Sequence, residues 1–79
     1  MAGFTNTFEF KIVEHISNIS DSNNKGWTLE LNLVSFNGEP ANYDLRRWDK
    51  SHTRMSKGIT MSKDELKNLY LSIEEYLDN

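Results

Sequence analysis

The chain has no cysteine among its 79 residues, which excludes disulfide staples, thiolate zinc sites and cysteine nucleophiles, and is compatible with a reducing compartment. Nothing approaches the ~18 consecutive apolar residues of a membrane span. The first residues, Met1 to Thr7, lack the basic and apolar regions of a secretory signal. A cytoplasmic protein is therefore expected, with nucleoid association compatible. There is no P-loop, dinucleotide fingerprint, H-E-x-x-H or nucleophile elbow. His15 and His52 lie in different segments, and a lone histidine is far more often a solvated or satisfied side chain than a ligand or base. Asp44 and Asp49 have Arg46, Arg47 and Lys50 as near neighbours, which makes ion pairing a simpler use for them than paired-carboxylate catalysis. The expectation is a protein with no enzymatic activity, cofactor, metal or small-molecule substrate.

What is present fits one small domain spanning residues 1–79. A chain this short buries only about 60% of its unfolded surface, and without staples it gains from completing its core against a second copy. Four strands and one helix are legible. From about Phe8 to Ile16, Phe8, Phe10 and Ile12 alternate with polar residues, and the phase blurs after Ile12. The polar stretch from Ser17 to Gly26 reads as a loop. Next, Trp27, Leu29, Leu31 and Leu33 share one face, with Thr28, Glu30 and Asn32 on the other. Val34 and Phe36 continue on that other face, a switch that implies a bulge or strong twist near Leu33 and Val34.

Asn37-Gly38 is the strongest turn signal, since both residue types tolerate positive φ. A third strand follows from about Ala41 to Trp48, with Pro40, the one proline, at its approach. Tyr43, Leu45 and Arg47 face one way, and Asp44, Arg46 and Trp48 the other. The fourth strand runs from Met55 to Met61, where Gly58 marks a bulge or a close backbone approach. The helix opens with a capping box, Ser62 and Glu65, and carries Leu66, Leu69, Tyr70, Ile73 and Leu77 on one stripe. The order ββββα predicts an α+β fold, a four-stranded antiparallel sheet followed by one C-terminal helix. One helix of about 15 residues covers little of such a sheet, so a homodimer is expected.

The net charge of −3 conceals a strong asymmetry. Residues 1–45 carry −4, residues 46–63 carry +5 and residues 64–79 carry −4. The middle segment holds Arg46, Arg47, Lys50, Arg54, Lys57 and Lys63 against the single Asp49, and Phe36 and Trp48 lie in or beside it. A surface for single-stranded nucleic acid needs cations for phosphates and flat rings for unstacked bases. Equally, large aromatics are usually core, and cations on a strand edge prevent aggregation. Composition leaves both readings open.

The run Val34-Ser35-Phe36-Asn37-Gly38, then Tyr43-Asp44-Leu45-Arg46-Arg47-Trp48, then Ser56-Lys57-Gly58-Ile59-Thr60-Met61-Ser62 entering a helix, resembles the C-terminal domain of the transcriptional coactivator positive cofactor four and its compact bacterial relatives. The resemblance covers roughly residues 8–77. It implies a homodimer whose curved sheets form grooves for single-stranded DNA with little sequence preference; transcription, replication, repair and RNA handling are all compatible with such a binder. It also implies Phe36 and Trp48 as stacking rings and Arg46 and Lys57 as phosphate contacts; Lys50 and Arg54 join them from the basic stretch. Strict alternation, however, sets Lys57 on the same face as Ile59 and Met61 unless Gly58 breaks the phase. The alternatives to single-stranded DNA are single-stranded RNA and a protein-interaction module in which the same cations meet an acidic partner.

Overall fold

The computed structural model describes residues 8–78. Its elements are β1 (Phe10–Asn18), β2 (Thr28–Phe36), β3 (Asn42–Trp48), β4 (Met55–Met61) and α1 (Lys63–Leu77). The strands form one sheet in the order β1-β2-β3-β4, every neighbouring pair antiparallel, so each connection is a simple hairpin. The Asn37-Gly38 turn lies in the left-handed region at both residues, with φ of 52° and 76°. It also ties the chain ahead of β1 to the end of β2. Asn37 Oδ1 accepts from the Glu9 amide at 2.8 Å, and the Asn37 amide donates to the Glu9 carbonyl at 2.8 Å.

The irregularity expected near Leu33 and Val34 falls across from them. Ile12 pairs with Val34 and Glu14 with Leu33, so Val13 is the extra residue, and Ile16 is a second one between His15 and Ser17. β2 itself stays regular. These two bulges account for the blurred phase after Ile12, and they add twist to the edge strand. The first of them, at Val13, also returns His15 to the face that carries Phe10 and Ile12.

That face is concave. Arg46 pairs with Glu30, and Phe36 lies six residues further along β2, about 20 Å in a flat strand. Yet the Arg46 guanidinium sits 4.8 Å from the centre of the Phe36 ring. Likewise Phe10, opposite Phe36, comes within 5.0 Å of Trp48, which is opposite Thr28. Only a sheet that curls toward this face brings its two ends together. The curl closes Val34, Trp48, Glu30, Asn32 and Asp44 almost completely, the last two with no exposed surface.

On the other face lie Leu29, Leu31, Leu33, Tyr43 and Leu45, all only half-buried. Within one chain the leucine face is thus the more open of the two. Helix α1 begins as predicted: Ser62 Oγ accepts from the Glu65 amide at 3.1 Å, and Glu65 Oε1 accepts from the Ser62 amide at 2.8 Å. It touches only β3 and β4 and buries none of its residues fully. Leu66, Leu69, Tyr70 and Ile73 line an open apolar groove with Leu31, Leu45 and Met61. No described helix is long and apolar enough to cross a membrane.

Candidate nucleic-acid interface

The concave face is built on polar residues that satisfy one another. Asp44 on β3 is fully buried and takes a two-pronged contact from Arg46, Nε to Oδ2 and Nη2 to Oδ1, both at 2.7 Å. Thr60 adds a hydroxyl at 3.2 Å. A buried carboxylate is tolerable only when so paired, and the planar fork of arginine matches its geometry. The remaining Arg46 nitrogen, Nη1, reaches the Ser56 carbonyl at 3.4 Å and the Met55 sulfur at 3.2 Å. Arg46 is thereby fixed across Phe36 as a cation over a π-face. Its positive charge is largely spent on Asp44, so its contribution to the face is as much shape as charge.

A second network runs beside it. His52 Nε2 donates to Glu30 at 2.9 Å, Asn32 Nδ2 donates to Glu30 at 3.1 Å, and His15 Nδ1 donates to Asn32 Oδ1 at 2.7 Å. An ionised carboxylate only accepts, so His52 must carry its proton on Nε2. Three separate segments, β1, β2 and the β3–β4 loop, are pinned to one buried glutamate. These partners went unread in the sequence because Glu30 and Asn32 alternate with leucines and so look solvent-facing. Among the described residues, no three His, Cys, Asp or Glu side chains are arranged to hold a metal ion.

The β3–β4 loop is organised by Asp49. Its Oδ1 accepts from the amides of Thr53 and Arg54, each at 2.9 Å, and its Oδ2 from the hydroxyls of Ser51 and Thr53, each at 3.2 Å. Led by the Arg54 amide, these donors hold the Asp49 carboxyl below the usual carboxylate range. The tight loop places His52 at φ 59° and brings its ring to 5.6 Å from Trp48. It carries Lys50 and Arg54 as exposed cations.

The six residues singled out from sequence therefore divide. Phe36, Arg46 and Trp48 meet on the concave face, with Lys50 and Arg54 on the loop that bounds it. Trp48 is fully buried, flanked by Phe10 and His52, and its indole N–H has no acceptor among the described residues. It serves the curl as apolar mass, and a base could stack on it only after His52 moved away. Phe36 is the half-open ring. Lys57 is exposed but lies on the opposite side. A Cβ on Gly58 would fall 2.4 Å from the Arg46 Cβ, so Gly58 faces the concave side and its neighbours face away. Lys57 accordingly borders a shallow depression with Leu29, Leu45 and Ile59. The bulge does exist, with Ser56 and Lys57 opposite the single Arg47, but Gly58 keeps Lys57 and Ile59 in phase.

A curled antiparallel sheet with one C-terminal helix, carrying aromatic rings on its concave face and cations at the rim, defines a small α+β module of the nucleic-acid-binding class. Residues 23–72 match the family model described as Transcriptional Coactivator p15 (PC4). An uncharacterized protein of Treponema pallidum (strain Nichols) is 37% identical over 59 residues, covering 75% of this chain and 68% of that protein. The chain belongs to the PC4 family, in which single-stranded DNA binding and coactivation are the known activities.

Proposed function

We propose that this chain is a non-enzymatic, homodimeric binder of single-stranded DNA with little sequence preference, and that the strand lies along the concave face. The observation that carries the proposal is the half-open Phe36 ring with the Arg46 guanidinium fixed over it, bounded by the exposed Lys50 and Arg54. An unstacked base finds a flat partner there, and its neighbouring phosphates find cations on the β3–β4 loop. The two carboxylates of the face, Glu30 and Asp44, are each held by cationic or N–H donors, which limits their repulsion of the strand. No base edge needs to be read for such binding.

The opposite face supports the dimer. Leu69, Tyr70, Ile73 and Leu77 remain at least 39% exposed, and a second copy offers the same apolar stripe in return. An isologous contact completes both half-built cores at once.

The test is fluorescence anisotropy of a labelled dT20 at two salt concentrations, beside the matched duplex, rU20 and the Phe36→Ala variant. Affinity for dT20 should fall with salt as counterions are released. The duplex, whose bases are stacked internally, should bind more weakly. Phe36→Ala should weaken binding by about 1–3 kcal/mol, the range for one stacked base. Equal affinity for duplex and single strand sinks the groove model. Tighter binding of rU20 than of a deoxyuridine 20-mer moves the assignment to RNA.

A further inference from the structure

Phe8 is an aromatic residue that neither the sequence motifs nor the family resemblance singles out. It stands just ahead of β1 and in phase with Phe10, and its ring lies 5.8 Å from Phe36 and 6.4 Å from Phe10. Its neighbours are interior: Trp48 has no exposed surface, and Phe10 is half-buried between Phe8 and Trp48. Phe8 itself is 56% exposed. The residue is not on a loose tail, because Glu9 is held to Asn37 by the reciprocal pair of backbone and side-chain bonds at 2.8 Å. A large, fixed and open ring beside the groove has an apolar face that the other described residues leave uncovered.

Phe36 alone offers limited room. One side of it is taken by Arg46, and Phe8 comes against it tilted by 31°. We propose that Phe8 is a second base-stacking ring, so that the platform along the concave face holds two bases, one on Phe36 and one on Phe8. The proposal rests on the single-strand reading above and extends it to a residue outside the basic segment. The competing account makes Phe8 a simple apolar cover over Phe10 and Phe36. In that case any apolar side chain of similar size would serve.

The two accounts separate in Phe8→Leu and Phe8→Tyr. Leucine keeps the cover and removes the ring, whereas tyrosine keeps both. Binding of dT20 is measured for the full chain and both variants, with thermal melts to show that folding is intact. A second probe is a 20-mer of abasic deoxyribose phosphate, which has the charges and no bases. If Phe8 stacks a base, Phe8→Leu loses about five- to tenfold in affinity for dT20, the low end of the stacking range. Its salt dependence and its binding of the abasic strand stay unchanged, and Phe8→Tyr binds like the parent. If Phe8→Leu binds dT20 as tightly as the parent, or more tightly, Phe8 is only a cover and the proposal fails while the groove reading stands. If the parent does not bind dT20 at low salt, both fall together.

Discussion

On the Phe36 side of the sheet, aromatic and polar groups are closed by the curl of the sheet itself; on the Leu31 side, leucines and a one-stripe helix stay half open. The first side reaches burial with polar and charged residues, since Glu30, Asn32 and Asp44 all lie at 4% exposure or below. The second has mostly apolar material and still fails to hide it. Burial here follows curvature and pairing more than hydrophobicity. A face that curls inward can enclose polar groups provided each finds its partner, whereas a convex apolar face needs another surface laid against it. The division also suits the proposed roles: the preformed side for a ligand, the unfinished side for a second copy.

The comparison breaks most sharply at Asp44. Asp44→Ala leaves the Arg46 guanidinium, 14% exposed, without its carboxylate and without the constraint that lays it over Phe36. Removing one partner of a buried pair costs about 3–5 kcal/mol, read as a lowered midpoint in urea unfolding. A loss below about 1 kcal/mol would mean that the concave side is held by its aromatics and not by its polar network. On the other face, Ile73→Ala should act mainly on assembly. Ile73 is 47% exposed in the single chain, so monomer folding changes little. In an isologous dimer the loss counts twice, about 3 kcal/mol in total at about 1.5 kcal/mol per copy, and sedimentation should show dissociation at higher concentrations than for the parent. An unchanged dimer, or a parent that sediments as a monomer, removes the helix from the interface.

What was legible in the sequence was local. The capping box of Ser62 and Glu65, the Asn37-Gly38 turn and the alternation along β2 and β3 each depend on neighbours within a few residues, and each stands as read. Even the awkward placement of Lys57 beside Ile59, which alternation demanded and the phosphate-contact role did not, is where the backbone puts it. The curl was not legible, because it depends on the bulges at Val13 and Ile16 and on pairings between residues 17 to 22 positions apart. Without it, Glu30 and Asn32 read as solvent-facing, Trp48 read as an available ring, and Phe8 read as one more strand residue. The site residues were therefore found by type more readily than by exposure.

The smallest effect concerns the loop at the rim, where the preformed side meets solvent. Asp49 is half-buried in a loop at the surface, and its four hydrogen bonds all stay within that loop, so they contribute order to the loop more than stability to the fold. Its carboxyl is depressed in the folded chain, chiefly by the Arg54 amide and then by Thr53 and Ser51. The ionised form is thus the one that the fold favours. Its contribution is complete above the ordinary carboxylate pKa of about 3.9 and is lost as pH falls through the lower folded value. In an acid titration followed by NMR, the amides of Thr53 and Arg54 should hold their bonded shifts to a lower pH than a free aspartate would allow, then move together. His52 should lose its place beside Trp48 in the same step, because the loop that sets its φ of 59° has lost its anchor. Should the two amides titrate with the ordinary aspartate value, the loop is not anchored by Asp49, and the hold of His52 on Glu30 alone must keep Trp48 covered.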